Sequence, residues 1–229
     1  MVAQLEEALH EISRSDSVRV IVLRSLVNKC FSAGADLKER AVMPQEEVAR
    51  FVDRLRDTFG MMESLPVPTI AALDGIALGG GLELALCCDL RYAGPDGRMG
   101  LPESKLAILP AAGGSQRMPR LIGASRAKEM IFTGNILNSE EAFRYGIVNA
   151  AVSGRTAFEH GMDIASKICK NGPLAVKYAK EAVNKGLSAD VRTGLAIEKL
   201  CYAQLIPTED RREGLTAFKE GRDPVYRGK

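Results

Sequence analysis

Three consecutive glycines, Gly79 to Gly81, constrain the fold of this chain more than any other stretch of its sequence. They follow an apolar run, Thr69 to Leu73, that is typical of a strand, and they precede a run that is typical of a helix. Because glycine has no side chain, the backbone can bend tightly there and its N–H groups stay uncovered. The stretch therefore predicts a strand-to-helix turn that binds an oxyanion or another anion.

Two acidic residues are candidates to work beside this turn. Glu83 interrupts the apolar helical run between Leu82 and Leu84, and a carboxylate there is costly to bury unless a site uses it. Glu103 lies in the apolar, loop-like stretch 100–114, which we expect to return across the same edge of the sheet. Two such carboxylates can act as base and acid on one water molecule, although a single glutamate is ordinarily a surface charge.

Strand-like and helix-like patterns alternate along the first part of the chain and predict an α/β core. Val18 to Leu23 is β-branched and nearly continuous, as in a parallel strand that is buried on both faces, and further strands are predicted at 69–73 and 89–93. The small residues from Cys30 to Asp36 are predicted to form a loop at a strand end. Helical spacing predicts helices over 2–12, 46–65, 125–133, 139–145, 154–170, 174–186, 190–205 and 208–220. We expect a core over 1–150 and a helical C-terminal region over 151–229.

Composition excludes several classes of function. The 31 basic and 29 acidic residues are mixed along the chain and give a net charge of only +2, so charge does not indicate a nucleic-acid partner. The five cysteines form no CxxC pair and there are two histidines, so we predict no metal site. We expect reduced thiols in an intracellular compartment. No apolar run has the roughly 18 residues of a membrane span, and no signal or transit segment is evident at the start, so we expect a protein that acts where it is made or whose leader is absent from this form.

The motifs of several common enzymes are missing. There is no GxSxG nucleophile turn, and the glycine run has neither the GK[ST] ending of a P-loop nor the GxGxxG spacing of a dinucleotide fold. The catalytic arrangement that remains is a pair of carboxylates together with backbone amides. Amides at Ala35 and Gly80, each at a strand-to-loop turn, could polarise a carbonyl, which suits enolate chemistry. Arg117 and Arg120 have two interpretations: they contact a phosphate, or they lie on an exposed helix face.

Four stretches together resemble the enoyl-CoA hydratase/isomerase, or crotonase, superfamily: FSAGADLK (31–38), ALGGGLELA (77–85), GLPE (100–103) and GGSQRMPRLIG (113–123). The resemblance covers the whole chain, and the runs 34–40 and 193–204 are most similar to the methylglutaconyl-CoA hydratase branch. It implies an α/β, crotonase-like (ClpP/crotonase) spiral of ββα units with a helical C-terminal trimerisation region. It also implies a homotrimer or a dimer of trimers, a mitochondrial location, and a place in fatty-acid or branched-chain acyl-CoA metabolism.

The resemblance assigns roles to individual residues. The amides of Ala35 and Gly80 would form an oxyanion hole for the thioester carbonyl of an acyl-CoA substrate. Glu83 and Glu103 would be catalytic and would add water syn across the 2,3-double bond. Coenzyme A is then part of the substrate, and no separate cofactor is expected. The residues expected to bind substrate or CoA are Ala33, Asp36, Leu37, Ala111 and Phe218.

The chain departs from the family pattern at three places. Ala111 replaces a glycine; a left-handed backbone there would cost alanine on the order of 1 kcal/mol, and the added methyl would narrow the acyl pocket. Gly221 stands where the family has a lysine near CoA, with Arg222 as the substitute. The family's N-terminal strand pair and its Arg-Pro…Asn-Ala-Leu segment, which contacts CoA, are expected before residue 1 and are missing.

The third departure leaves two other functions open. One is a catalytically impaired subunit, or an interaction module, in mixed crotonase oligomers, since an unpaired strand edge favours association. The other is RNA binding, known for one relative through a lysine-rich first helix. The first helix here carries Glu6, Glu7 and Glu11 instead, and this acidic surface disfavours RNA.

Overall fold

A computed structural model describes the backbone of all 229 residues and every side chain except that of Leu37. The strands are β1 (Ile21–Leu23), β2 (Cys30–Ser32), β3 (Thr69–Leu73), β4 (Ile76–Leu78), β5 (Leu90–Ala93), β6 (Arg98–Gly100), β7 (Ile136–Asn138) and β8 (Ala150–Ala151). A short 3₁₀ helix covers Pro102–Leu106. The α-helices are α1 (Val2–Ser13), α2 (Leu37–Val42), α3 (Gln45–Ser64), α4 (Gly80–Leu86), α5 (Gly114–Ile122), α6 (Ala124–Thr133), α7 (Ser139–Tyr145), α8 (Ala157–Cys169), α9 (Pro173–Gly186), α10 (Val191–Leu205) and α11 (Glu209–Glu220).

The strands form two sheets, and the first six strands alternate between them. The first sheet has the order β1-β3-β5-β8 and the second has the order β2-β4-β6-β7. Pairings β3–β5, β5–β8, β2–β4 and β4–β6 are parallel, and β6–β7 is antiparallel. Each strand pair β1–β2, β3–β4 and β5–β6 is followed by helix, so the predicted spiral of ββα units is confirmed.

The buried strand β3 is the centre of the first sheet's core. All five of its residues are buried, which fits an apolar strand that is covered on both faces of a parallel sheet. Its one polar side chain is paired: the N–H and Oγ1 of Thr69 donate to Oδ2 of Asp89 at 2.8 and 3.0 Å. The strand predicted over 69–73 is thus confirmed, and the one predicted at 89–93 begins one residue later.

The residue patterns alone do not predict the second sheet. Residues 30–36 were predicted as a loop, which is wrong at Cys30–Ser32, where β2 pairs with β4. The stretch 100–114 was predicted as loop-like, but it begins at the end of β6 and contains the 3₁₀ helix. Strands of three residues are too short to show an alternating pattern in the sequence.

The triple glycine has a packing reason as well as a conformational one. A Cβ on Gly81 would lie 2.2 Å from the carbonyl oxygen of Ser32. Only glycine therefore lets the first turn of α4 approach the end of β2 this closely. The glycines bring the start of one helix against the strand end that leads to Ala35.

The chain divides into two compact units. The first consists of Met1–Arg14, Val22–Leu65 and Thr69–Asp163, and the second of Ser15–Ile21, Pro66–Pro68 and Ile164–Lys229. In the second unit, buried Asp210 accepts hydrogen bonds from the N–H groups of Arg227 and Gly228, which fix the C-terminal segment. Among the described helices, none combines the length and apolarity that crossing a membrane requires.

Candidate active site

A cavity of about 510 Å³ lies within the first unit. Both predicted carboxylates, Glu83 and Glu103, line it, and so do the predicted amide-bearing turns at Ala35 and Gly80. Much of the remaining wall is apolar and comes from Met1 and α1, from α3, and from the last residue of the 3₁₀ helix and the segment after it. These apolar residues are Met1, Val2, Leu5, Phe51, Val52, Leu55, Phe59, Leu106, Ile108 and Leu109.

The two amide-bearing turns lie side by side. A Cβ on Gly34 would lie 3.3 Å from the backbone nitrogen of Gly80, and a Cβ on Gly80 would lie 4.0 Å from that of Ala35. A side chain at Gly34 would therefore crowd the Gly80 amide, whereas a Cβ on Gly80 would make only an ordinary contact with the Ala35 amide. Neither the Ala35 nor the Gly80 N–H donates to another described residue. The two N–H groups are free to donate to one bound oxygen, as an oxyanion hole requires.

Glu83 is buried, as its apolar neighbours predicted, with only 3% of its surface exposed. Its Oε1 accepts a 2.8 Å hydrogen bond from the N–H of Gly114, the first residue of α5. Burial raises the pKa of Glu83 to about 7, and the neighbouring charge of Glu103 adds to the rise, while the Gly114 hydrogen bond opposes it. A carboxyl group with this pKa can accept and return a proton near neutral pH.

Glu103 is half-buried on the 3₁₀ helix, and burial raises its pKa as well. Its Oε1 lies 2.9 Å from the point where a Cβ on Gly79 would stand. Its Oε2 is shielded from solvent and has no hydrogen-bond partner within the described residues. A buried carboxyl oxygen without a partner is costly, and it is suited to a water molecule or a substrate atom in the cavity.

The segment 110–114 closes the cavity near Glu83. Ala111 lines the cavity, but the left-handed strain expected at this position is absent, because positive φ angles among the described non-glycine residues occur only at Lys29 and Ala107. Gly113 has the positive angle instead, with φ of +114° at the N-cap of α5. The alanine therefore adds a methyl group to the segment without this backbone cost.

The remaining predicted binding residues are not all brought together. Ala33 lines the cavity. Asp36 is the N-cap of α2, and its side chain accepts from the N–H of Lys38 at 2.8 Å. The side chain of Leu37 lies outside the described part of the structure. Phe218 belongs to the second unit, is 88% exposed, and is not among the residues that line the cavity.

The C-terminal departure from the family pattern has a local structural role. Gly221 is the left-handed C-cap of α11, with φ of +67°. Arg222, which was expected to substitute for a lysine, forms ion pairs with Glu213 at 2.7 Å and with Glu220 at 2.7 Å. Its guanidinium is thus already engaged by two carboxylates of the same unit.

The two arginines of α5 have different surroundings. The side chain of Arg117 is only 19% exposed and pairs with Glu63 at 2.7 Å, so the exposed-face interpretation is wrong for this residue. Arg120 is exposed, and its guanidinium bonds Gln116. Sequence reasoning also missed Arg40 on α2, which lines the cavity with its guanidinium carbon 5.2 Å from the centre of the Phe51 ring. No spacing in the sequence predicts the contact of Arg117 with Glu63 or that of Arg40 with Phe51.

The described side chains offer little to a metal. They contain no group of three or more histidine, cysteine, aspartate or glutamate residues placed to hold an ion. Cys87 and Cys88 are buried in the core, and Cys87 donates through Sγ to the carbonyl oxygen of Glu83. Burial raises the pKa of the Cys87 thiol, so it is an inert core residue.

Comparisons with known proteins converge on one family. The family model described as enoyl-CoA hydratase/isomerase matches residues 1–229. The human mitochondrial methylglutaconyl-CoA hydratase is 49% identical over 100% of this chain and 68% of that protein. The human mitochondrial enoyl-CoA hydratase domain-containing protein 2 is 48% identical over 100% of this chain and 80% of that protein. A crystal structure of an enoyl-CoA hydratase from Bacillus anthracis superposes with a TM-score of 0.97 at 49% identity, over 100% of this chain and 88% of that one.

Proposed function

The chain belongs to the enoyl-CoA hydratase/isomerase family, and we propose that it adds water syn across the 2,3-double bond of a 2-enoyl-CoA thioester. One observation carries the proposal: two carboxyl groups with raised pKa values and two unengaged backbone amides line the same cavity. An isomerase needs only to move a proton, whereas hydration uses one acid and one base on opposite atoms of the double bond.

The proposed chemistry divides the work between the four groups. The thioester carbonyl oxygen accepts hydrogen bonds from the N–H groups of Ala35 and Gly80, which stabilise the negative charge that it gains during attack at C3. Glu83 removes a proton from water while the water oxygen bonds to C3. Glu103 donates a proton to C2, and the C2–C3 double bond becomes a single bond. Glu83 then holds a proton that Glu103 has lost, and exchange through solvent restores the pair.

The hydrogen-bond partners support Glu83 as the base. Glu83 accepts from a backbone N–H, which favours its ionised form. Glu103 has one buried oxygen with no described partner, which can carry the proton that C2 receives. Because the two groups interact, their titration belongs to the pair. A bell-shaped dependence of kcat/KM on pH is expected, with one group ionised and the other protonated at the optimum.

We propose further that the acyl group carries a second carboxylate. Arg40 is a half-buried cation that lines the cavity beside Phe51, and a guanidinium binds a carboxylate through two hydrogen bonds. The relative named methylglutaconyl-CoA hydratase has an acyl group of this kind in its name. Branched, dicarboxylic enoyl thioesters are therefore the proposed substrate class, with simple fatty enoyl thioesters as weaker substrates.

We also propose a mitochondrial homotrimer or dimer of trimers. Two of the relatives compared above are named as mitochondrial proteins. In the second unit, several large apolar side chains of α10 and α11 are more than half exposed, which favours burial against another copy. They are Leu195, Leu200, Tyr202, Leu215 and Phe218. Light scattering after size-exclusion chromatography would give the number of subunits.

The hydration proposal is tested by following the loss of crotonyl-CoA absorbance with the purified protein. We expect Glu83→Gln and Glu103→Gln each to lower kcat by roughly 100-fold or more, and the double variant to lose little beyond either one, since the two groups act as a unit. Glu129→Gln, which removes an exposed carboxylate on α6, is the matched control and should leave turnover unchanged. Undiminished turnover in the double variant would refute the mechanism.

A further inference from the structure

The segment 110–114 sets the position of Glu83. The N–H of Gly114 donates to Glu83 Oε1 at 2.8 Å, and a Cβ on Gly114 would lie 3.0 Å from both Cγ and Oε1 of Glu83. A side chain at residue 114 would therefore press against Glu83 and require its carboxylate to shift. A small shift of this segment would move the hydrogen bond that orients the carboxylate.

Two arginines hold the carbonyl groups of this segment. Arg56 Nε donates to the carbonyl oxygen of Ala111 at 2.7 Å, and Arg117 Nη1 donates to that of Ala112 at 3.2 Å. Each arginine is itself held by an acid of α3: Arg56 by Asp53 at 2.9 Å, and Arg117 by Glu63 at 2.7 Å. The segment is therefore tied to the long helix α3 at two points.

The two arginines differ in burial. The side chain of Arg117 is 19% exposed and that of Arg56 is 54% exposed. The Arg117 guanidinium also lies directly against the backbone at Gly113, where a Cβ would stand 1.9 Å from Nη1. Both Nε and Nη2 of Arg117 donate to the same oxygen of Glu63, at 3.1 and 2.7 Å. The Arg117 guanidinium is thus held by Glu63 on one side and by the backbone of 112–113 on the other. Because it is less exposed than Arg56, water and salt screen its charge less.

We propose that Arg117, oriented by Glu63, is a positioning residue for Glu83: it holds the segment Ala112–Gly114 so that the Gly114 N–H points at Oε1, and it places a positive charge near the carboxylate. The proposal rests on the proposed function, in which Glu83 is the base. The charged and titratable groups around Glu83 are Glu103 on the 3₁₀ helix, Cys87 at the end of α4, Arg117 on α5 and, behind Arg117, Glu63 on α3. Glu103 opposes ionisation of Glu83, and the charge of Arg117 favours it and lowers the pKa of Glu83.

The test separates charge from position by three substitutions measured with crotonyl-CoA. Arg117→Gln removes both, so we expect kcat to fall roughly 10- to 100-fold and the acid limb of the kcat/KM profile to move to higher pH. Arg117→Lys keeps the charge and loses the two-point contact, and Glu63→Gln keeps Arg117 and loses its anchor. Both should lower kcat without moving the acid limb upward.

Arg120→Gln is the matched control, since it removes an exposed arginine from the same helix and should leave both kcat and the profile unchanged. A second readout does not depend on catalysis. The ¹³C signal of the Glu83 carboxyl carbon, followed against pH, should titrate at higher pH in Arg117→Gln than in the unsubstituted protein. This readout stays valid if the hydratase proposal fails.

Two results would overturn the proposal. One is a folded Arg117→Gln protein whose acid limb and Glu83 titration match those of the unsubstituted protein. The second result applies if Arg117→Gln does not fold: unchanged kcat in both Arg117→Lys and Glu63→Gln would then overturn the proposal. Loss of turnover in these variants with full turnover in Glu83→Gln would instead count against the assignment of Glu83 as the base and leave the titration result standing.

Discussion

Oε1 of Glu103 lies 2.9 Å from the point where a side-chain carbon on Gly79 would stand. The backbone of Gly79 has φ of +52° and ψ of −128°, a combination that L-residues with side chains rarely adopt. The absence of a side chain at residue 79 thus serves two purposes at once: it permits the turn into α4, and it leaves room for the carboxyl group that is the proposed acid.

Gly79→Ala should therefore damage both folding and chemistry. We expect the free energy of unfolding to fall by roughly 1–3 kcal/mol because of the strained backbone. We expect kcat to fall as well, because the new methyl group displaces Glu103. Urea unfolding and the crotonyl-CoA assay measure the two effects.

Gly60→Ala is the natural companion variant. Gly60 lies inside α3, its backbone angle is ordinary, and a Cβ there would meet nothing within 4 Å. This substitution should raise stability by roughly 0.5–1 kcal/mol and leave turnover unchanged. If Gly79→Ala behaved like Gly60→Ala, the proposed contact with Glu103 would have no consequence.

Glu83→Gln should lower turnover and raise the free energy of unfolding. The pKa of Glu83 is about 7 in the folded protein and near 4.5 when unfolded. Between these pH values the folded state binds more protons than the unfolded state, so the free energy of unfolding falls as pH rises. This loss of stability from ionising the buried carboxyl group is complete above about pH 7. The neutral amide avoids this cost. Its advantage over the unsubstituted protein should grow by roughly 3 kcal/mol between pH 4.5 and pH 8.

Urea unfolding at the two pH values gives this difference directly. Glu129→Gln, measured in parallel, corrects for the loss of one surface carboxylate and should show little growth. An advantage of Glu83→Gln that stays constant with pH would contradict the raised pKa and, with it, the role of Glu83 as a base near neutral pH.

Arg40→Met should act on one class of substrate only. If Arg40 binds a second carboxylate, KM for an enoyl-CoA thioester with a distal carboxylate should rise roughly 10-fold or more, since a hydrogen bond to a charged group contributes about 1.5–3 kcal/mol. KM for crotonyl-CoA should not change. Arg40→Lys retains the charge and should recover part of the loss. Equal losses on both thioesters would show that Arg40 supports the cavity wall rather than the acyl carboxylate.

Ala111→Gly should widen the range of acyl chains. Ala111 lines the cavity, and removal of its methyl group should enlarge the space near Glu83 without a change in charge. A series of enoyl-CoA thioesters of increasing chain length, compared by kcat/KM, measures the effect. Because Ala111 has no backbone strain to relieve, no gain in stability is expected, and an unchanged chain-length profile would refute the prediction.

Features that depend on local sequence could be predicted, and features that depend on contacts between distant residues could not. The burial of Glu83 followed from its apolar neighbours, and β3 followed from a five-residue apolar run. The partnership of Glu83 with Glu103, and of Gly80 with Ala35, follows from the expectation that their turns meet at one sheet edge. The resemblance then assigns their roles, because no local pattern says which distant residues will meet. Strand β4 has three residues, too few to show alternation.

Contacts between residues far apart in the sequence are the hardest to predict from it. Arg117 and Glu63 are 54 positions apart, and Arg56 and Ala111 are 55 apart. Their meeting depends on how α3 packs against the start of α5, which neither helix encodes alone. An arginine on an amphipathic helix resembles a surface residue until the neighbouring helix is in place, and this is why Arg117 and Arg120 were given the same interpretation.

The first helix of the chain, α1, forms part of the cavity wall through Val2 and Leu5, next to Met1. It is fastened to α3 where Arg54 and Thr58 donate to the carboxylate of Glu6, at 2.6 to 2.9 Å. Occupation of the cavity by an acyl chain and the docking of α1 are consequently one linked equilibrium. A bound thioester should slow amide hydrogen exchange throughout α1, and weakening its attachment at Glu6 should appear as poorer affinity for long acyl chains with the chemical step intact.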